Sequence, residues 1–298
     1  MLKHQLVVAL VRPYVAAELP MWGQVYRHFV GSFERDEYWR GAPTLPAKNK
    51  YYGYESRFDL SKWADRTAFF LRRWYDLPAQ LMIRAVNPKT VVDVGANKGD
   101  FTLAAASMAD KVISFEPNPV VAGILKGDIR RNAIRNVTLH EMGLSDRDDV
   151  LTLHVPHINS GSASFGGFQT EGATVENIPV RTGDEILEGE KPDLIKIDVE
   201  GFEVHAIRGM RQLIEANQPI IITEVIGEHL ERCGASVVEL NDLMASLGYT
   251  AHGMGTRRKG WRHELVLGVD SADVAWLPNG REPQEFTATT ADLMAQQA

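Results

Sequence analysis

The sequence predicts an α/β fold in which helices cover both faces of a mostly parallel sheet. Three observations predict it. Short apolar runs alternate with helical patterns from about residue 89, a glycine-rich turn follows the first run, and no helix separates the last two runs. Alternation of this kind is typical of parallel sheets. The last two runs, which lack a connecting helix, predict an antiparallel hairpin near the carboxyl end.

The predicted elements follow one another along the chain. Seven runs are the predicted strands of the main sheet: 90–96, 111–117, 137–145, 193–200, 219–225, 249–255 and 263–269. The run at 149–156 predicts an additional hairpin arm. Apolar residues at helical spacing predict helices over 118–134, 203–217 and 236–248.

Three parts of the chain differ in composition. Residues 1–88 are rich in aromatic side chains and predict an extension of helices and loops that shapes the substrate pocket. The alternating strands and helices place the ligand-binding domain at 89–275. Residues 276–298 predict a loose tail or a short helix.

Composition and charge narrow the class of protein. Hydrophobic residues make up 44% and charged residues 24%, which is typical of a globular protein without membrane spans. A net charge of −7 argues against a nucleic-acid partner. The single cysteine, Cys233, excludes an internal disulfide and fits a reducing cytoplasm, where we expect the protein. The apolar run near the amino terminus is too short for a membrane span and is followed by Arg12 and Pro13.

The turn after the first strand, in DVGANKGDF, indicates which ligand the fold holds. It lacks the middle glycine of a dinucleotide loop and the Gly-Lys-Ser/Thr of a phosphate loop. Asp93 before the turn favours a cationic amino group, and Glu116 after the second strand is placed to accept ribose hydroxyls. An amino-acid end, a ribose and no phosphate together describe S-adenosylmethionine. The alternatives are that Asp93 caps a helix and that Glu116 pairs with a surface arginine.

Several motifs in order resemble one known family. DVGANKGDFT, FEPNP, VTLHEMGLSD, DLIKIDVEGFE and IITEV are similar in order and spacing to the FkbM family of class I methyltransferases over residues 88–227. The resemblance implies a seven-stranded Rossmann-like sheet, S-adenosylmethionine as cofactor, and O-methylation of sugars or secondary metabolites. Residues implied to contact the methionine end are Asp93, Gly95, Asn97, Gly99 and Thr102, those for ribose are Glu116 and Asn118, and those for adenine are Glu141, Met142 and Gly143.

The segment KIDVEGFEVH is the candidate catalytic region, because methylation of a hydroxyl needs a base near the reacting oxygen. Asp198 and Glu200 alternate at a strand end, and His205 lies in the first turn of the next helix. The alternative is that the two acids cap this helix and that His205 lies on its surface. A divalent cation held by Asp198, Glu200 and Glu224 is a further alternative that the sequence does not favour over a metal-free base.

Two loops are further candidates for a functional role. The Ser/Gly loop at 159–168 is a lid or a linker, and the basic turn around Trp261 is a sugar contact or a solvated turn.

The favoured acceptor is a small molecule or glycan. Alternatives are a methyltransferase of protein or nucleic acid, a non-catalytic protein that binds S-adenosylmethionine, and a nicotinamide dehydrogenase. An amino-directed nucleic-acid enzyme would show Asn/Asp-Pro-Pro-aromatic where this chain has DVEG.

Overall fold

The computed structural model describes residues 2–74, 76–156, 163–167, 174–260 and 262–295. The chain forms two compact units. The N-terminal unit contains Met1–Leu77, Arg258–Arg262 and Thr290–Ala298, and the sheet unit contains Pro78–Arg257 and His263–Thr289. Among the described residues, no helix is long and apolar enough to cross a membrane.

The N-terminal unit is mainly helical. Its first elements are α1 (Leu2–Ala16), α2 (Trp22–Phe29), α3 (Asp36–Trp39), β1 (Thr44–Lys48), β2 (Glu55–Asp59) and α4 (Trp63–Leu71). Aromatic residues fill its core, where Trp39, Phe69 and Phe70 are almost completely buried. The buried guanidinium of Arg66 donates to the carbonyls of Leu60 and Ser32 and to the Asp36 carboxylate.

Strands β1 and β2 form an antiparallel hairpin that the prediction of helices and loops did not include. The turn is built locally. The Asn49 side-chain oxygen accepts hydrogen bonds from the backbone N–H groups of Tyr51 and Tyr52, at 2.8 and 3.2 Å. Gly53 has a φ of +73°, a conformation that glycine adopts without steric cost. An Asn followed by a glycine near the end of a turn indicates a hairpin. The prediction for this segment was based on its aromatic composition and did not use this pattern.

The sheet unit contains most of the regular structure. Its helices are α5 (Leu77–Val86), α6 (Asp100–Ala106), α7 (Pro119–Arg131), α8 (Gly183–Ile186), α9 (Glu203–Gly209), α10 (Arg211–Asn217), α11 (Gly227–Arg232) and α12 (Val237–Ser246). Its strands are β3 (Thr90–Val94), β4 (Lys111–Phe115), β5 (Val137–His140), β6 (Gly143–Ser145), β7 (Asp149–Val155), β8 (Thr174–Thr182), β9 (Leu194–Ile197), β10 (Ile220–Glu224), β11 (Tyr249–Lys259), β12 (Arg262–Leu267) and β13 (Asp273–Pro278). Helix α13 (Thr290–Ala295), near the end of the chain, belongs to the N-terminal unit.

The main sheet confirms the predicted fold class. Its eight strands lie in the order β12-β11-β13-β10-β9-β3-β4-β5. The neighbouring strands β10, β9, β3, β4 and β5 are parallel to one another. Strand β13 is antiparallel to both of its neighbours, β10 and β11. Strands β6, β8 and β7 form a separate three-stranded sheet. The buried faces of β3, β4, β9 and β10 pack on α9, α10 and α12 in one continuous apolar core.

The strand count differs from the predicted seven because of β13. This strand inserts between β10 and β11, where the prediction placed no element, and half of it falls in the segment expected to be a loose tail. The run 137–145 also divides into β5 and β6, which belong to different sheets. Because β3, β4, β9 and β10 are parallel neighbours, their carboxyl ends meet at one edge of the sheet.

Candidate active site at the carboxyl edge of the sheet

The glycine turn, residues 95–99, follows β3 and contacts the chain at the ends of β4 and β9. Gly95 has a φ of +86°, and a Cβ at this position would lie 1.9 Å from the carbonyl oxygen of Asp198. The N–H groups of Gly95 and Ala96 both donate to the carbonyl of Phe115, each at 2.9 Å. Gly99 has a φ of +93°, and a Cβ at this position would lie 2.2 Å from the side chain of Leu125 in α7. Glycine is therefore required at both ends of the turn, by backbone conformation and by close packing.

Asp93 is an interior group behind this turn. Its Oδ2 accepts a hydrogen bond from Thr102 at 2.5 Å, and Thr102 lies 2.8 Å from the hydroxyl of Ser114. All three side chains are buried, and burial raises the pKa of the Asp93 carboxyl. The Oδ1 atom of Asp93 is buried without a hydrogen-bond partner among the described residues. Asp93 and Thr102 thus contact each other in the interior behind the turn, and their role toward a cofactor stays a prediction.

Glu116 connects the glycine turn to the start of α7. One carboxylate oxygen accepts from the N–H of Asn97 at 2.7 Å and the other from the N–H of Asn118 at 2.8 Å. Burial raises the pKa of Glu116 to about 7. A carboxylate has about four acceptor positions, so two remain for hydroxyl groups. The side-chain oxygen of Asn118 caps α7 by accepting from the N–H groups of Val120 and Val121, which leaves its NH₂ group as the part available to a ligand.

The three predicted adenine contacts have different environments. Glu141 is exposed and forms an ion pair with Lys126 of α7. Met142 is partly buried against the core, and Gly143 is buried beside Phe165. Their role toward adenine stays a prediction.

A group of acids lies at the ends of β9 and β10 and at the adjacent starts of α9 and β13. We call it the acidic rim: Asp198, Glu200, Glu203, Glu224 and Asp273. Asp198 forms an ion pair with Lys196 at 2.6 Å, and its side chain is 40% exposed. Glu203 is buried and accepts from the N–H groups of Val199 and Gly201, which holds the turn between β9 and α9.

The acids of the rim disfavour one another's ionisation. Burial, followed by the charges of Asp198 and Glu224, raises the pKa of Glu200 to about 8. Burial, followed by the charges of Asp198 and Asp273, raises the pKa of Glu224 to about 7. Burial likewise raises the pKa of Glu203 to about 7. Glu200, Glu203 and Glu224 are therefore easier to protonate than isolated carboxyl groups.

His229 of α11 belongs to this rim, although the sequence analysis did not identify it. Its Nδ1 lies 3.0 Å from Oε2 of Glu200. One ligand atom each from Glu200, Glu224 and His229 lies within 4.8 Å of the others. The cation alternative therefore has a different residue set from the expected one, because His229 joins the two glutamates while Asp198 pairs with Lys196. The signal in the sequence was a histidine five residues after the end of a buried strand.

His205 lies in a different environment. Its Nε2 is 3.2 Å from the carbonyl of Cys233, its Nδ1 is 3.6 Å from Asp146, and its ring stacks on Phe202 at 4.3 Å. Both ring nitrogens thus have protein neighbours, and the catalytic role of His205 stays a prediction. Residues 159–162 and 168 of the Ser/Gly loop, and Trp261 of the basic turn, lie outside the described residues.

Comparison with known proteins identifies relatives of this chain. The FkbM methyltransferase domain matches residues 93–251, which is more than half of the chain. The chain is 29% identical over 190 residues to the hexuronic acid methyltransferase AglP of Haloferax volcanii, and the match covers 61% of this chain and 75% of AglP.

Solved structures of methyltransferases are also similar. The FkbM methyltransferase of Methylobacillus flagellatus has 20% identity and a TM-score of 0.43, with 64% of this chain and 43% of that one covered. The present chain thus spans less than half of that protein. A putative O-methyltransferase from Klebsiella pneumoniae has 15% identity and a TM-score of 0.41, covering 68% of this chain and 80% of that one.

The family match includes the glycine turn, Glu116 and the acidic rim except Asp273, and it ends within β11. It confirms the enzyme class that the sequence predicted, a methyltransferase dependent on S-adenosylmethionine. This chain belongs to the FkbM family of methyltransferases.

Proposed function

We propose that this enzyme transfers the methyl group of S-adenosylmethionine to a hydroxyl group of an acidic sugar, such as a hexuronic acid within a glycan. The observation that carries the proposal is the contact between Gly95 and the carbonyl of Asp198, because it puts the acidic rim directly beside the glycine turn. The relative that methylates a hexuronic acid supports the sugar class of the acceptor.

The residues of the glycine turn suit S-adenosylmethionine. The two remaining acceptor positions of Glu116 suit the two hydroxyls of a ribose. Asp93 is buried behind the turn, where it accepts a hydrogen bond from Thr102. When bound, the cofactor supplies an electrophilic methyl group on a positively charged sulfur. The protein then has to hold the acceptor oxygen in line and to receive the proton that this oxygen loses.

Asp198 is the residue that we assign to receive this proton. Its side chain is 40% exposed, so an acceptor molecule can reach it, and the ion pair with Lys196 at 2.6 Å holds the carboxylate in position. The carboxylate takes the hydroxyl proton as the new oxygen–carbon bond forms, and the sulfur–carbon bond breaks in the same step. His205 has a weaker claim to this role because both of its nitrogens have protein neighbours.

A substrate panel tests the proposal. The enzyme is incubated with S-adenosylmethionine and, separately, with a glucuronide, the corresponding neutral glucoside, a peptide mixture and RNA, and products are analysed by mass spectrometry. We expect one added methyl ether on the glucuronide and a much slower reaction with the neutral glucoside. Methylation confined to peptide or RNA contradicts the proposal.

A further inference from the structure

Three side chains of the sheet unit converge beside the predicted base. They come from the turn after β9, the last residue of β10 and the helix α11: Glu200, Glu224 and His229. One ligand atom from each lies within 4.8 Å of the others, and Nδ1 of His229 is 3.0 Å from Oε2 of Glu200. Two ligand atoms each at about 2.1 Å from a cation lie about 3.0 Å apart when adjacent and about 4.2 Å apart when opposite. The 3.0 Å between His229 and Glu200 is the separation of adjacent ligands, and the two separations from Glu224, which are below 4.8 Å, reach one coordination sphere with small side-chain movements.

The hydrogen bonding of these groups is incomplete. Nδ1 of His229 is buried and makes no hydrogen bond in the described part of the chain, although a carboxylate oxygen is only 3.0 Å away. The carboxylate of Glu224, which is partly buried, has neither a hydrogen bond nor an ion pair with any residue that the structure describes. An imidazole nitrogen and a carboxylate oxygen that lie 3.0 Å apart without a hydrogen bond between them are suited to share a third partner.

The backbone holds this arrangement in place. Glu200 adopts a φ of +53°, which is uncommon for a residue with a side chain, and its carbonyl accepts from the hydroxyl of Ser164 at 2.9 Å. A Cβ at Gly201 would lie 2.0 Å from the carbonyl oxygen of His229, so the turn packs directly on α11. The positions of Glu200 and His229 are thus fixed relative to each other.

The group is also partly open to solvent. The side chains of His229 and Glu200 are 25% and 17% exposed, and Glu224 is only partly buried. A dissolved ion can therefore reach the cluster.

We infer that Glu200, Glu224 and His229 bind one divalent cation of the Mn²⁺ or Zn²⁺ class on the acceptor side of the active site. Two carboxylates and one imidazole suit these borderline cations better than Ca²⁺, which prefers oxygen ligands alone. The inference about the acceptor rests on the proposed function: the carboxylate of an acidic sugar would be repelled by the acidic rim, and a bound cation reverses that repulsion. The cation would coordinate the sugar carboxylate and a neighbouring hydroxyl, whose pKa it lowers.

Calorimetric titration with MnCl₂ tests the site itself. The full-length protein, dialysed against EDTA and then against buffer, is compared with His229→Ala, Glu224→Gln and Glu231→Gln. Glu231 lies on the same helix and undergoes the same chemical change as Glu224, but its carboxylate is outside the cluster. We expect one Mn²⁺ per chain, a loss of affinity of at least about 100-fold in the first two variants, and unchanged affinity in the third. Equal affinity in all four proteins, or no binding to the wild type, overturns the inference.

A separate assay of methyl transfer to the glucuronide distinguishes this inference from the proposed function. If Mn²⁺ binds at the cluster but no sugar is methylated, the cation site stands and the proposed function fails. If the glucuronide is methylated at the same rate with EDTA by a protein that does not bind Mn²⁺, the function stands and the cation site is wrong.

Discussion

The proposed cofactor side of the active site, formed by Asp93, the glycine turn and Glu116, lies on the same edge of the sheet as the acidic rim, but the polar groups of the two regions are hydrogen-bonded to different extents. On the cofactor side, both oxygens of Glu116 and one oxygen of Asp93 accept hydrogen bonds from the protein. On the rim, Glu224 has no hydrogen bond from a described residue, and neighbouring acids add to the effect of burial in raising the pKa values of Glu200 and Glu224.

This difference indicates which property of the enzyme each of the two regions should control. The side chains of the cofactor side are hydrogen-bonded within the fold before any ligand binds, so changes there should affect folding and cofactor binding together. The rim carries charge that a substrate, proton or cation has to balance, so changes there should affect catalysis and leave the fold intact.

The largest expected effect is on catalysis at the rim. Asp198→Asn should lower kcat by about 10²–10⁴-fold, because the amide cannot accept the hydroxyl proton. The dissociation constant for S-adenosylmethionine should stay within about twofold, since this side chain is placed on the acceptor side. Single-turnover kinetics and calorimetry measure the two quantities. The matched control is Asp149→Asn, an exposed acid on β7. Wild-type turnover in Asp198→Asn would remove this residue from the chemistry.

The next largest effect is on folding at the glycine turn. Gly95→Ala places a methyl group 1.9 Å from the carbonyl oxygen of Asp198 at a φ of +86°. Overpacking and backbone strain together should lower the free energy of unfolding by about 3 kcal/mol or more. Gly123, in the middle of α7 with open space around it, is the control, and Gly123→Ala should stabilise the protein by about 0.5–1 kcal/mol. Urea denaturation compares them, and similar midpoints for both variants would contradict the packing argument.

Glu116→Gln should weaken binding of S-adenosylmethionine by about 1–3 kcal/mol, since an amide replaces one acceptor oxygen by a donor. The same variant should change the pH dependence of stability. The folded pKa of about 7 lies above the ordinary value of 4.5. The stabilising contribution of this group is therefore complete below pH 4.5 and is lost as the pH rises through about 7.

Denaturation of the wild type and of Glu116→Gln at about pH 5 and about pH 8 checks this sign. We expect the stability of the wild type, measured relative to the variant, to be greater at the lower pH. The same difference at both pH values, together with unchanged cofactor affinity, would contradict the placement of Glu116.

The smallest effect is on the stability of the metal-free rim. Glu224→Gln removes a charge that lies close to other acids, and it should stabilise the EDTA-treated protein by about 1 kcal/mol or less, because solvent screens a partly exposed group. Glu231→Gln, on the surface of α11, should change stability by less than about 0.5 kcal/mol. Thermal denaturation of both variants in EDTA gives the comparison. Destabilisation by Glu224→Gln would mean that this carboxylate has a structural partner.

The sequence indicated the proximity of Asp93, the glycine turn and Glu116 more directly than the proximity of His229 and Glu200, for a physical reason. Asp93, the glycine turn and Glu116 lie at the ends of neighbouring strands in sequence, so local pattern and strand order place them together. His229 meets Glu200 only because α11 packs on the turn at Gly201, a contact that no local pattern encodes. The capping role of Asn118, in contrast, was present in the Asn-Pro pair before α7.

The fold shows the same division. The parallel strands followed from apolar runs with helices between them, and the fold class was confirmed. Strand β13 was not predicted, because its position between β10 and β11 is set by pairing with residues more than twenty positions away. The role of residues 1–88 in shaping the acceptor pocket stays a prediction.

Calorimetric titration of S-adenosylmethionine tests the contrast between the cofactor side and the acidic rim most directly. The three proteins compared are the wild type, Glu116→Gln and Asp198→Asn, and NAD is the comparison ligand. The account predicts binding of S-adenosylmethionine and no binding of NAD to the wild type, weaker binding to Glu116→Gln by about 1–3 kcal/mol, and unchanged binding to Asp198→Asn. Equal affinity of the wild type and Glu116→Gln, or a wild type that binds NAD and not S-adenosylmethionine, would contradict it.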